Sequence, residues 1–161
     1  MIRKGTLLDI PIIAEILVNT WQTCYQSFLP KSFLDNLKIE KQIKRHQKIM
    51  GRGIDYFVYE NSQGVIQGFT SYGKNRAKNI PAPMELYTLY VSPKGQQKGI
   101  GQQLLNQVLM ALKPIGGALC VEVMAENPYI SFYEKNDFQF FQKESMNVEE
   151  LTIENLLLIK K

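Results

Sequence analysis

The sequence predicts a mixed α/β or α+β domain built in three layers. Several stretches repeat apolar residues at helical spacing, and short runs rich in β-branched and aromatic residues lie between them. Such mixed order indicates helices packed against a sheet. No repeat, low-complexity tract or linker divides the 161 residues, so we expect one domain over residues 1–161.

The N-terminal third predicts two helices. Asp9 is suited to the N-cap of the first and Pro11 is tolerated in its first turn. The apolar residues that follow at helical spacing are Ile10, Ile13, Ala14, Leu17 and Trp21. After Pro30 we expect a second helix, which turns strongly basic and ends near Gly51 and Gly53.

The remainder of the chain predicts six strands and two helices. Strands are expected at residues 56–60, 65–72, 85–91, 118–123, 138–148 and 155–159. Asn61-Ser-Gln-Gly64 has the residue types of a hairpin turn between the first two strands. Helices are expected from about 99 to 112 and over 128–135.

The composition argues against several classes of protein. Hydrophobic residues make up 45% and charged residues 21%, which is typical of a soluble globular protein. Cys24 and Cys120 lack disulfide-framework or metal-ligand spacing, so we expect no metal and a reduced, cytoplasmic setting. Asp9 and Pro11 interrupt any signal-peptide core, and no stretch reaches membrane-spanning length. A net charge of +4 suits an anionic ligand without identifying it.

Three glycines lie between a predicted strand and a predicted helix, in Lys94-Gly-Gln-Gln-Lys-Gly-Ile-Gly101. The first turn of a helix has unpartnered backbone N–H groups and a partial positive charge, which suit a phosphate. The dinucleotide-binding pattern fails at its third glycine, where Leu104 stands, although Glu122 occupies the place of a ribose-binding acid. Residues 92–98 are also too long for a tight Rossmann turn, so we expect another kind of anion-binding loop.

Two motifs resemble those of the GCN5-related N-acetyltransferases, the GNAT family. Gln96-Gln97-Lys98-Gly99-Ile100-Gly101 matches the family's [QR]-x-x-G-x-[GA] pyrophosphate loop. Asn127 and Phe132-Tyr133-Glu134-Lys135-Asn136-Asp137-Phe138 resemble its closing motif. Asp137 replaces the family's usual glycine, just past a helix end where φ is often positive.

This resemblance spans nearly the whole chain and implies the GNAT fold. That fold is a mixed, mostly antiparallel central sheet flanked by helices, with splayed strands around an acetyl-CoA cleft. The implied activity is acetyl transfer from acetyl-CoA to a primary amine of a small molecule, polyamine or protein. The amine attacks the thioester directly within a ternary complex.

Glu85 and Tyr133 are the catalytic residues that the resemblance implies. An alkylammonium must lose a proton before it attacks, and Glu85 lies eleven residues before Gln96, as the catalytic glutamate does in some relatives. The alternative for Glu85 is a solvated carboxylate at a strand end. Tyr133 matches the family's proton donor to the leaving sulfur, and its alternative is a tyrosine packed beside Phe132 and Phe138.

The resemblance also implies which residues contact acetyl-CoA. They are Leu89, Tyr90, Val91, Gln96, Gln97, Lys98, Gly99, Ile100, Gly101, Gln102, Asn127 and Tyr133. The first three would bind the pantetheine arm through their backbone, as an added strand does. Asn127 precedes Pro128 and is equally typical of a helix cap.

Aromatic residues are the candidates for the acceptor site: Trp21, Tyr25, Tyr72 and Tyr87, with Phe28 nearby in sequence. They belong to elements that flank the acceptor cleft in similar proteins, and packing in the core is their alternative. His46 is the single histidine and has no visible acid partner in its basic surroundings. We expect it at the surface and give it no role.

Two other functions stay open. The chain could bind acetyl-CoA as a sensed ligand without catalysis. Alternatively, the basic segment from Lys38 to Arg52 could bind nucleic acid or an acidic partner, but no recognition motif accompanies it and nucleic acid is not expected. We expect an amine acceptor as the partner and no membrane association, and a homodimer is left open.

Overall fold

The structure is a computed structural model that describes residues 1–77 and 79–161. Strands β1 to β7 are Ile2–Lys4, Asp55–Glu60, Ile66–Lys74, Met84–Val91, Leu119–Met124, Gln139–Val148 and Leu151–Lys160. Helices α1 to α5 are Ile10–Cys24, Lys31–Asp35, Ile39–Gly51, Ile100–Leu112 and Ile130–Lys135. None of these helices combines the length and the apolar composition that crossing a membrane requires.

The strands of the described residues form one sheet in the order β1-β2-β3-β4-β5-β7-β6. Every neighbouring pair is antiparallel except β4 and β5, which are parallel. This confirms the mixed, mostly antiparallel sheet that the resemblance implied. The sequence did not predict β1, because three residues are too few to show an alternating pattern.

Strand β4 separates from β5 halfway along its length. The two strands pair over three residues only, and the pairing ends at Leu86 opposite Val121. On the other side of β4, the register with β3 shifts between Ser71 and Tyr72 and leaves Tyr87 as an extra residue. Such a bulge bends and twists its strand. The end of β4 therefore has no β5 partner, and the sheet is open at this point.

Helices cover both faces of the sheet and confirm the three-layer prediction. Helices α4 and α5 pack on one face, through a core that includes Leu86, Leu105, Val108, Leu112, Val121, Tyr133 and Phe138. Helices α1 and α3 pack on the other face, around Ile10, Ile13, Leu17, Tyr56, Val58 and Phe69. Burial of these side chains stabilises the fold by roughly 25 cal/mol for each Å² of apolar surface.

Local structure differs from the sequence predictions in three places. The basic stretch after Pro30 forms two helices, because Lys38 adopts an extended conformation that separates α2 from α3. Strand β7 begins at Leu151, earlier than expected, and pairs with β6 along its length. Asp9 precedes α1 but does not cap it through its side chain. Its carboxylate instead accepts two hydrogen bonds of 2.8 Å from Arg3.

Candidate active site

A first cavity of about 380 Å³ opens where β4 separates from β5. Its walls come from the end of β4, the loop before α4, the first turn of α4, and helices α1 and α5. Eleven of the twelve residues predicted to contact acetyl-CoA line it. The twelfth, Lys98, is exposed and is not part of the lining.

The loop before α4 has the backbone geometry of an anion site. Gln97 and Gly99 both adopt left-handed conformations, with φ of 64° and 76°. Left-handed residues in such a loop curl the backbone, so that successive N–H groups converge. Gly99 is the N-cap of α4, and no side chain of the described residues caps this helix. The N–H groups of the first turn therefore remain available to an anion.

Side-chain amides fix this loop to both sides of the first cavity. Gln96 donates from Nε2 to the carbonyl of Val91 at 3.1 Å and accepts from the Tyr129 hydroxyl at 2.8 Å. Gln102 exchanges two hydrogen bonds with Asn136, at 2.8 and 3.0 Å. The second pair joins the first turn of α4 to the end of α5. These bonds hold the loop in one geometry relative to β4.

Tyr133 lines the first cavity with its side chain buried. Its ring packs edge-on against Phe132 and Phe138, with centroids 5.3 and 5.6 Å away. Burial, with a smaller contribution from Tyr90, raises the pKa of Tyr133 above its usual range. The hydroxyl therefore stays protonated at neutral pH and can donate a hydrogen bond. Tyr133 both packs beside Phe132 and Phe138 and lines the first cavity, so a packed ring is compatible with a proton-donor role.

Asn127 also combines the two roles considered for it. It lines the first cavity. Its Oδ1 accepts the backbone N–H of Tyr129 at 2.7 Å, while its Nδ2 donates to the Tyr25 hydroxyl at 3.3 Å. The side chain therefore closes the turn before α5 and orients a tyrosine of the cavity wall.

Thr20 is a residue of the first cavity that the sequence analysis missed. It is 3% exposed, and its Oγ1 has no hydrogen-bond partner among the described residues. A buried hydroxyl without a partner is costly, so this atom is suited to a polar group of a ligand. The signal was available, because Thr20 follows Ile13, Ile16 and Leu17 at helical spacing on the buried side of α1.

A second cavity, of about 400 Å³, lies on the face of the sheet that α1 and α3 cover. Trp21 and Tyr87, both predicted for the acceptor site, line it. Tyr90 lines both cavities, and the Trp21 Nε1 donates to its hydroxyl at 3.0 Å. The pair formed by Trp21 and Tyr90 therefore stands between the two cavities.

The other aromatic candidates lie elsewhere. Tyr25 lines the first cavity, with Phe28 packed on its ring. Tyr72 belongs to the core beneath α4, where its ring stacks on Phe57 at 5.8 Å. Tyr72 therefore lines neither of the two cavities, and its acceptor role stays a prediction. Its side chain faces α4, on the opposite side of the sheet from the second cavity.

His46 corrects an expectation, because it is 3% exposed and lies inside the protein. It follows Ile39 and Ile43 at helical spacing and faces β2, where its Nδ1 is 2.7 Å from the Tyr56 hydroxyl. Its Nε2 has no partner among the described residues, and the side chain lines the second cavity. Burial, together with Arg45, lowers the pKa of His46 to about 4, so the ring is neutral at pH 7.

Glu85 is 5% exposed and is held by Arg76. The Arg76 guanidinium donates to one carboxylate oxygen at 2.8 Å, and the Arg76 backbone N–H donates to the other at 2.9 Å. The guanidinium also lies over the Tyr87 ring, 4.1 Å from its centroid. The alternative of a solvated carboxylate is wrong. Arg76 therefore holds both carboxylate oxygens, and Glu85 itself lines neither of the two cavities.

A family model described as an acetyltransferase (GNAT) domain matches residues 52–140. The uncharacterized N-acetyltransferase YuaI of Bacillus subtilis (strain 168) is 30% identical to this chain over 134 residues. The aligned region covers 83% of this chain and 76% of that relative.

Two solved structures share the fold at lower identity. A ribosomal-protein-alanine N-acetyltransferase from Brucella melitensis superposes with a TM-score of 0.76 at 20% identity, over 99% of this chain and 98% of that one. The paia N-acetyltransferase from Thermoplasma acidophilum, in complex with coenzyme A, gives a TM-score of 0.75 at 21% identity, over 100% of this chain and 98% of that one.

Proposed function

Because the chain belongs to the GNAT family of N-acetyltransferases, we propose that it transfers the acetyl group of acetyl-CoA to a primary amine in a ternary complex. The first cavity carries this proposal. It combines an uncapped helix start, a strand end without a β5 partner and a buried tyrosine hydroxyl. We also propose that residues 1–161 act as one acetyltransferase domain.

The residues of the first cavity fit the chemical parts of acetyl-CoA. Acetyl-CoA supplies a reactive thioester, an amide-containing arm and a pyrophosphate. The backbone N–H groups of residues 97–102 would hold the pyrophosphate at the start of α4. The backbone of residues 87–91 would bind the arm on the side that β5 leaves open. The Thr20 hydroxyl, which has no partner among the described residues, would receive a polar group.

Tyr133 and Glu85 are the proposed participants in proton transfer. As the amine nitrogen bonds to the carbonyl carbon, the carbon–sulfur bond breaks and the electron pair goes to sulfur. The Tyr133 hydroxyl donates its proton to that sulfur, which leaves as a thiol, and the proton that the attacking nitrogen loses on becoming an amide returns to Tyr133. The Glu85 carboxylate, once Arg76 releases it, takes the proton that the ammonium loses, directly or through a water.

The basic segment from Lys38 to Arg52 favours this reading over nucleic-acid binding. Arg45 and Arg52 are exposed, and both also line the second cavity. The lysines of α3 are exposed and lie outside that lining. Part of the basic charge therefore belongs to a small-molecule cavity.

A thiol-release assay with acetyl-CoA and a panel of amines tests the proposal, with mass spectrometry of the products. We expect thiol release that depends on the amine, together with one acetyl group added to it. Acetyl-CoA binding without release for any amine would identify a sensor. Absence of binding would exclude both functions.

A further inference from the structure

The second cavity is positively charged. Arg45 and Arg52 reach it from α3, and Arg76 reaches it from the segment after β3. No carboxylate occurs among the described residues that line it. Arg45 and Arg52 form no ion pair within residues 1–77 and 79–161, whereas Arg76 is paired with Glu85. At least two guanidinium groups are therefore available to a ligand.

Aromatic rings form much of the remaining wall. Trp21, Phe33, Tyr87 and Tyr90 line the same cavity, and Tyr90 also reaches the first cavity. Rings of this kind bind apolar or aromatic groups. A volume of about 400 Å³ lies within the range of small-molecule sites. The buried His46, whose Nε2 has no described partner, adds a neutral polar group.

We propose that the acceptor is a small primary amine that carries a carboxylate on an apolar or aromatic body. This inference rests on the acetyltransferase function proposed above and names its substrate class. The planar guanidinium binds a carboxylate through two parallel hydrogen bonds, so arginine suits this anion better than the ammonium of lysine does. The shared residue Tyr90 places such an acceptor next to the first cavity.

The positive charge also assists the reaction. Guanidinium groups near an ammonium disfavour its charged form, which increases the fraction of free amine. A substrate carboxylate at Arg76 competes with Glu85 for the same guanidinium. The Glu85 carboxylate, no longer paired with the guanidinium, can then accept the ammonium proton. An anionic acceptor would thus free the base that this structure shows paired.

The test compares amino acids with the amines that lack only their carboxylate: phenylalanine with phenethylamine, tryptophan with tryptamine, and leucine with 3-methylbutylamine. Thiol release is measured for the wild type, Arg45→Gln, Arg52→Gln and the control Lys44→Gln. The control removes the same charge from an exposed position of α3 outside the cavity lining.

We expect the wild type to prefer at least one amino acid over its matched amine by about tenfold in kcat/KM. In each arginine variant, kcat/KM should fall about tenfold with that amino acid and less than about twofold with the matched amine. Lys44→Gln should change neither by more than about twofold.

Three results would overturn the inference while leaving the acetyltransferase function intact. They are turnover confined to amines without a carboxylate, equal losses for both members of a pair in the arginine variants, and faster turnover of a peptide with a free N-terminus and amidated C-terminus. If none of the amines tested supported thiol release, the acetyltransferase function itself would be contradicted.

Discussion

At the scale of single residues, the Tyr133 hydroxyl gives the sharpest prediction. Tyr133→Phe removes one oxygen and keeps the ring that packs on Phe132 and Phe138. We expect kcat to fall by about 100-fold and acetyl-CoA affinity to stay nearly unchanged, as for a donor that acts on the leaving group. Steady-state kinetics and calorimetry measure the two quantities. Tyr59→Phe, which removes a hydroxyl outside both cavity linings, is the control.

The raised pKa of Tyr133 adds a pH signature to this prediction. Since burial keeps the hydroxyl protonated beyond its ordinary pKa near 10, the wild-type rate should show no decline from this group below about pH 10. A falling limb near pH 8 that disappears in Tyr133→Phe would contradict the assignment, as would wild-type kcat in that variant.

Glu85→Gln tests the proposed base. The variant should impair turnover of phenylalanine, whose alkylamine is strongly basic, more than that of 4-aminobenzoate, because the aromatic amine is already a free base near neutrality. It should also move the rising limb of the pH–rate profile to higher pH. The measurement is kcat/KM against pH for these two acceptors, both of which carry the carboxylate that competes for Arg76. Equal losses with an unshifted limb would reduce Glu85 to a residue that positions Arg76.

At the scale of elements, the start of α4 determines cofactor affinity. Gly99→Asp introduces a negative charge at the proposed pyrophosphate site and a side chain at φ of 76°. A Cβ at this position would meet no atom within 4 Å, so the fold itself has room for it. We expect calorimetry to show a loss of acetyl-CoA affinity of at least about 100-fold.

Gly99→Asn is the matched control for this loop. Asparagine tolerates the left-handed conformation and has nearly the shape of aspartate, but it carries no charge. It should therefore retain much more affinity than the aspartate variant. If both variants bound acetyl-CoA as the wild type does, the anion site would have to lie in another part of the molecule.

Asp137 ends α5 in the left-handed conformation that the motif comparison indicated, with φ of 66°. Its side chain is exposed and lies 3.6 Å from the Lys160 ammonium, a surface contact that contributes little. Asp137→Gly should therefore raise the free energy of unfolding by about 0.5–1 kcal/mol in urea denaturation. Asp137→Ala should lower it, and the opposite order would contradict this account of the turn.

Local sequence signals predicted most helices and strands. They did not predict the break between α2 and α3 or the bulge in β4. Helical spacing located α1 and α4, and turn residues located the hairpin of β2 and β3. The extended Lys38 between α2 and α3 is marked by no glycine or proline, although Asp35 and Asn36 before it are weak helix formers. The bulge at Tyr87 is likewise a property of pairing between strands.

At the scale of the whole molecule, the two cavities differ in how far the sequence could predict them. Two sequence motifs supply half of the residues that line the first cavity, so recognising the motifs located those residues. The second cavity joins α1, α3, the segment after β3 and β4, and Arg45, Arg52 and Arg76 meet only in the folded chain. Their spacing in sequence carries no signal. His46 was misplaced because its charge-rich neighbours outweighed its helical spacing to Ile39 and Ile43.

His46 also couples the fold to pH. Its pKa is about 4 in the folded protein and near 6.5 in an unfolded chain, so protonation favours the unfolded state. The stabilisation is complete above pH 6.5 and is lost as the pH falls from 6.5 to 4, by about 3 kcal/mol. Urea denaturation at several pH values should show this loss in the wild type but not in His46→Gln. An imidazole that titrates near pH 6.5 by NMR would contradict it.

The central claim is that acetyl-CoA binds in the first cavity with its sulfur beside Tyr133, and a crystal structure of the coenzyme A complex tests it most directly. We expect the pyrophosphate on the backbone N–H groups of residues 97–102, and the sulfur within about 4 Å of the Tyr133 hydroxyl. Coenzyme A bound outside this cavity, or with its sulfur turned away from Tyr133, would contradict the claim.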